Sequence, residues 1–112
     1  MSDADRQLDL ARKGLAGLDP LLQHRLRLGI AVLLAEADRM TFSRLKELLG
    51  STDGNLGAQL RRLEDAGYVS VRKQFVQRKP VSWYALKAAG RRALAAHLDA
   101  MQTLVESAAR SP

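Results

Sequence analysis

Residues 49–86 read LGSTDGNLGAQLRRLEDAGYVSVRKQFVQRKPVSWYAL. Gly50 breaks one helical pattern and Ser51-Thr52 starts another. Either Ser51 or Thr52 offers a hydroxyl as helix N-cap, and Asp53 suits the positive end of that helix. Leu56, Leu60 and Leu63 follow at helical spacing, and Gly67 suits the position just past the helix end. From Tyr68 the period changes to two. Tyr68, Ser70, Arg72 and Gln74 alternate with Val69, Val71 and Lys73, which predicts a half-buried strand with Val69 and Val71 inward. Residues 81–86 form a second strand by composition. Between them, residues 75–80 lack Asn-Gly or Asp-Gly and contain Pro80, which cannot continue a central strand. The expected hairpin turn is therefore longer than two residues.

Working outward, Asp19-Pro20 reads as N-cap and first helical residue. Leu22, Leu26, Ile30, Leu33 and Leu34 then carry one helix to about Asp38. Residues 40–42 form a short extended piece. Thr41 or Ser43 caps a helix through Leu49, with Phe42, Leu45, Leu48 and Leu49 inward. Residues 3–17 form a short helix or frayed arm ending near Gly14 or Gly17. The last helix spans residues 87–109, and Leu94, Leu98, Met101, Val105 and Ala108 give it a heptad-like seam.

Two helices joined by Leu49-Gly50-Ser51-Thr52 fit a helix-turn-helix, and a basic hairpin follows at once. The expected fold is mainly α with a small β-hairpin wing (α+β): a winged helix-turn-helix with a long C-terminal helix for dimerisation. Residues 1–18 are the arm, 19–92 the winged-helix domain and 93–112 the rest of the dimerisation helix. A chain of 112 residues is one domain's length.

The net charge of +6 is unevenly placed. Residues 1–60 are neutral overall. Residues 61–92 hold nine Lys/Arg against Glu64 and Asp65, a net +7. Such a patch fits a polyanionic partner, or else a solubilising surface. The chain has no cysteine, which removes disulfides, thiolate metal sites and cysteine nucleophiles. The longest apolar run, residues 30–35, is too short to cross a membrane, and residues 1–7 lack the apolar core of a signal peptide. The expected location is the cytoplasm, with no membrane partner.

The runs Thr52-Asp53-Gly54-Asn55-Leu56, Leu60 to Val69 (LRRLEDAGYV), Phe75 to Pro80 (FVQRKP) and Tyr84 to Arg91 (YALKAAGR) resemble the small winged-helix transcriptional regulators of the MarR/ArsR-like superfamily, specifically its minimal stand-alone domains. The likeness covers roughly residues 18–100. It implies a homodimeric bacterial or archaeal regulator that binds double-stranded DNA and has no catalytic activity.

The residues themselves suggest where DNA would lie. At about 100° per residue, the face opposite Leu56, Leu60 and Leu63 presents Gly54, Asn55, Ala58, Arg61, Arg62 and Asp65. Gly54 and Ala58 are small enough for close approach to a groove. Gly54 and Gly57 each cost the helix roughly 1 kcal/mol relative to Ala, which asks for a reason: groove approach, or packing against a neighbouring helix. Asn55 and Gln59 can read adenine edges, and Arg61 or Arg62 can read guanine or clamp phosphate. Ser51 and Thr52 lie at the start of the same helix. Asp53 would repel phosphate and is assigned to capping. In the wing, Arg72, Lys73, Gln77, Arg78 and Lys79 are candidates for phosphate or minor-groove contact, or else a solvated tip. Arg44 and Lys46 lie on the preceding helix. Lys87, Arg91 and Arg92 open the last helix, where cations oppose its dipole and an external anion would help.

Trp83 and Tyr84 point to opposite faces of their strand; one belongs in the core, and Trp83 is the expected one. The dimer surface is expected at Leu8, Leu15, Leu94, Leu98, Met101 and Val105, with packing of the last helix inside its own subunit as the alternative. His24 and His97 are the only histidines, and His97 and Asp99 do not share a helix face, so neither a metal site nor a cofactor is expected. No nucleophile–base–acid set or phosphate-cradling glycine loop is present, so no enzyme is expected. Any small-molecule effector is left undefined by the sequence. A protein–protein adaptor or a non-specific architectural DNA-binding protein is the alternative function.

Overall fold

A computed structural model describes residues 2–109. The elements are α1 (Asp3–Ala16), a 3-10 turn (Pro20–Gln23), α2 (Arg25–Glu36), β1 (Met40–Thr41), α3 (Phe42–Leu49), α4 (Asp53–Asp65), β2 (Val69–Val76), β3 (Lys79–Leu86) and α5 (Ala88–Ala109). The architecture is helical with a three-stranded antiparallel sheet in the order β1-β3-β2. Residues 110–112 of the expected C-terminal segment lie outside the described residues.

The core is aliphatic. Leu22, Ile30, Leu34, Leu45, Leu56, Leu60 and Leu63 are fully buried, joined by Ala31, Val69, Tyr84 and Leu94. Each of those leucines contributes about 1.5–3 kcal/mol through its removal from water. The inward face expected for residues 56–63 is therefore as read. On α3, Leu45 is buried, but Leu48 is exposed, so the inward face is narrower than expected.

Four local expectations are corrected. The single helix expected from Asp19 is two pieces. Asp19 does cap, accepting from Leu21 N–H at 2.9 Å, but His24 then becomes extended (ψ 129°) and its Nδ1 caps α2 by accepting from Leu26 N–H at 3.1 Å. The extended piece at residues 40–42 shrinks to Met40–Thr41, since Phe42 already belongs to α3, and it pairs with β3 as Met40↔Tyr84 and Thr41↔Trp83. The hairpin turn is only two residues long. Gln77 (φ 52°) and Arg78 (φ 69°) both take the left-handed conformation, which matches the twist of the flanking strands. Pro80 is tolerated because β1 reaches only Trp83 and Tyr84, so this part of β3 has β2 alone beside it. Finally, Tyr84 rather than Trp83 is the core aromatic. Its ring lies 6.5 Å from that of Phe42. Trp83 occupies the other face of the sheet under the Arg39 guanidinium, 4.2 Å from the ring centre, and its indole N–H is buried without an acceptor.

α1 packs along α5, outside the aliphatic core cluster. Ser107 Oγ donates to the Gln7 carbonyl at 3.2 Å. Gly14 lies inside α1 rather than ending it; a Cβ there would sit 2.9 Å from Leu104. Gly17 forms the C-cap. The molecule measures 66 Å along its long axis and 25 and 21 Å across, so its projecting elements reach well past a small core.

Candidate nucleic-acid interface

α3 and α4 are joined at Gly50, whose left-handed backbone (φ 59°) lets the chain reverse within a few residues. The caps resolve to Thr41 for α3 and Thr52 for α4. Thr41 Oγ1 accepts from Arg44 N–H at 3.1 Å and Thr52 Oγ1 from Asn55 N–H at 3.2 Å. Ser51 instead donates its hydroxyl to the Thr52 carbonyl at 3.2 Å.

With Leu56, Leu60 and Leu63 turned inward, Gly54, Asn55, Ala58, Arg61, Arg62 and Asp65 are all exposed. A Cβ built on Gly54 or Gly57 meets no atom within 4 Å. Packing inside the subunit thus gives no reason for either glycine, which removes the neighbouring-helix explanation within this chain.

Gln59 is differently placed from the other polar residues of α4. Its Oε1 accepts from Arg27 Nη1 at 2.5 Å and its Nε2 donates to Asn55 Oδ1 at 3.3 Å. Both ends of the amide are engaged, so Gln59 links the buried Arg27 to Asn55 on the exposed face of α4. Arg27, only 8% exposed, also donates Nε–H to the Leu21 carbonyl at 2.6 Å. Burial and the nearby Arg62 charge push its guanidinium pKa down. Sequence reasoning missed Arg27, although a signal existed: it shares a helix face with Ile30, Ala31 and Leu34, all buried.

The electrostatics separate two kinds of cation. Arg44, Lys46 and Arg61 have carboxylate partners, Glu47 at 3.2 Å, Asp53 at 2.9 Å and Asp65 at 3.5 Å. These are exposed pairs of little net worth, about 0–1 kcal/mol, so they exchange readily. Among the described residues, no ion pair involves Arg62, Arg72, Lys73, Arg78, Lys79, Lys87, Arg91 or Arg92. All eight are exposed. Asp53 lies in the first turn of α4, as expected for a residue at the positive helix end.

The exposed face of α4, bearing Gly54, thus lies next in the chain to a hairpin whose exposed cations have no carboxylate partner among the described residues. The sequence matches the winged helix DNA-binding domain over residues 26–105. The chain belongs to that family. This winged helix has the fold of a transcriptional regulator homologue from Pyrococcus horikoshii OT3, with a TM-score of 0.76 and 24% identity over 92% of this chain and 97% of the other. It is similar in fold to Sco3205, a MarR family transcriptional regulator from Streptomyces coelicolor solved in complex with DNA, with a TM-score of 0.58, 23% identity, and coverage of 100% and 79%. It is also 39% identical over 51 residues to an uncharacterized protein of Methanocaldococcus jannaschii, a match that spans 46% of this chain and 55% of that relative.

The expected dimer residues divide. Leu94 is 5% exposed and belongs to the subunit's own core, which corrects its place on an exposed seam. Leu8, Leu15, Leu98, Met101 and Val105 are exposed on the α1–α5 pair. Where α5 meets the α1–α2 connection, a cavity of about 290 Å³ is lined by Leu18, Leu22, Gln23, Leu28, His97, Met101 and Leu104. Among the described residues, no three His, Asp or Glu side chains converge as a metal site, and no helix is long and apolar enough to cross a membrane.

Proposed function

We propose that this winged helix binds double-stranded DNA sequence-specifically as a homodimer and regulates transcription in the cytoplasm, by binding and without catalysis. The observation that carries this reading is the set of eight exposed cations without carboxylate partners, running from α4 through the hairpin to the start of α5. In water such a set is repulsive; against phosphate it releases counterions and becomes favourable.

In this reading residues 19–92 are the DNA-binding unit. α4 enters the major groove with the Gly54–Ala58 face inward. Asn55, steadied by Gln59, offers its amide N–H groups to a base edge, and Arg61 and Arg62 contact phosphate or guanine. Ser51 and Thr52 lie at the groove entry, where the exposed N-terminus of α4 favours phosphate. Arg72, Lys73, Gln77, Arg78 and Lys79 reach the flanking backbone or minor groove. The arm of residues 1–18 and the helix beyond residue 93 supply the dimer contact through Leu8, Leu15, Leu98, Met101 and Val105. Two-fold symmetry then sets two recognition helices at a fixed spacing on the duplex. The apolar cavity beside His97 joins the α1–α2 connection to α5, so a small molecule there would act on that spacing.

The test is fluorescence anisotropy with duplex from upstream of the gene, against a scrambled duplex of equal length, over a series of salt concentrations. A specificity ratio of about a thousand or more supports the specific regulator. Equal, salt-sensitive binding to both duplexes replaces it with an architectural role. No binding at low salt replaces it with a protein–protein adaptor.

A further inference from the structure

The hairpin tip has a composition that phosphate contact alone does not explain. Phe75 is 79% exposed and Val76 is 48% exposed. Phe75 lies directly across from Pro80, so two apolar side chains share one face of the tip. The tip is also held at a cost. Gln77 and Arg78 are left-handed without being glycine, where Asn-Gly would relieve the strain. Residues 79–82 of β3 lie beyond β1 and pair with β2 alone, so the tip extends about 13 Å past the three-stranded part at roughly 3.3 Å per residue.

We infer that Phe75, backed by Pro80, is a wedge that enters the minor groove beside the α4 site and partly unstacks a base step, kinking the duplex; this rests on the DNA-binding reading above. The occupant is argued from charge. Lys73 shares the Phe75 face of the tip, Arg78 stands in the turn and Lys79 lies on the opposite face, all exposed, and residues 66–98 contain no Asp or Glu. An exposed apolar side chain at a tip that carries cations on both faces and no carboxylate fits a groove whose walls are phosphate and whose floor is stacked bases. Phe and Pro are both residue types that minor-groove binding proteins insert between base steps. A pyrimidine–purine step is the expected target because it unstacks most easily.

The experiment uses the full chain and the upstream duplex, with 2-aminopurine placed at successive flanking positions in separate duplexes. Wild type, Phe75→Ala and Phe75→Leu are compared, with anisotropy run in parallel. Wild type is expected to raise 2-aminopurine fluorescence at one step outside the α4 site. Phe75→Ala should abolish that rise and weaken binding by about tenfold with an unchanged salt slope, since no cation is lost. Phe75→Leu, still an apolar wedge, should retain part of the rise. Phe75 is exposed, so all three should melt alike. Wild type that binds the duplex without unstacking any step overturns the wedge and leaves the DNA reading standing. An equal rise with Phe75→Ala overturns it as well. Absence of duplex binding by wild type sinks the DNA reading itself. Binding to phosphatidylglycerol vesicles that Phe75→Ala abolishes, with duplex binding unaffected, assigns the tip to a membrane surface instead.

Discussion

His97 Nδ1 accepts the backbone N–H of Asp19 at 2.9 Å, bridging 78 positions of sequence. His97 is only 2% exposed, and the same Asp19 accepts from Tyr68 Oη at 2.6 Å. One residue therefore ties the α1–α2 connection to α5 and to the end of α4. His97→Leu fills similar space but leaves the Asp19 N–H unpaired. It should destabilise the fold by about 1–3 kcal/mol, read as a lower urea midpoint at unchanged m.

The Tyr68–Asp19 bond makes a pH-dependent contribution. The hydrogen bond to the Asp19 carboxylate, helped by burial, pushes the phenol pKa up to about 12 from 10.0. The folded state favours the neutral phenol, so this stabilisation is complete below pH 10 and is lost as pH rises towards 12. Tyr68→Phe should cost about 1.5 kcal/mol at neutral pH and flatten the fall in melting temperature between pH 10 and pH 12. An equally steep fall in the variant would assign the alkaline transition to other groups.

Gly54 and Gly57 give a prediction in which stability and binding move in opposite directions. A Cβ at either position meets open space. Gly54→Ala and Gly57→Ala should each raise stability by about 0.5–1 kcal/mol. Gly54→Ala should also weaken duplex binding if, as proposed, its exposed face approaches the groove, because the new methyl group stands on that face. A thermal melt and an anisotropy titration on the same sample separate the two effects.

Arg62→Ala and Arg78→Ala remove cations that no carboxylate neutralises, one on α4 and one at the hairpin tip. Each should weaken duplex binding and reduce the slope of log K against log salt by about one. Unchanged slopes in both would place the DNA on another face.

The seam on α5 is tested by charge. Leu98→Glu and Val105→Glu alter exposed positions outside the subunit's core cluster. The subunit should keep its helical circular dichroism, while sedimentation velocity should shift from dimer to monomer. Truncation at residue 93 would be the wrong test, because it removes the buried Leu94.

The helices that bury a periodic leucine face were legible without coordinates, because local spacing decides which side of a helix is apolar. Leu56, Leu60 and Leu63 show this, as does the cap at Asp19, whose side chain bonds a backbone N–H two residues on; the choice of Thr41 over Ser43 and of Thr52 over Ser51 needed the structure. The basic stretch of residues 61–92 was legible for the same reason: charge is a property of composition. What the tertiary structure alone decided involves partners distant in sequence. Trp83 and Tyr84 are interchangeable by alternation, and only the docking of Phe42 against one face of β3 selects Tyr84 for the core. Gln59 reads as an exposed polar residue until Arg27, 32 positions away, takes its carbonyl. Leu94 and Leu98 share a seam by period, but Leu94 lies over the aliphatic core and Leu98 lies past its edge. Period and propensity act within a few residues; burial depends on which surfaces the whole chain brings together.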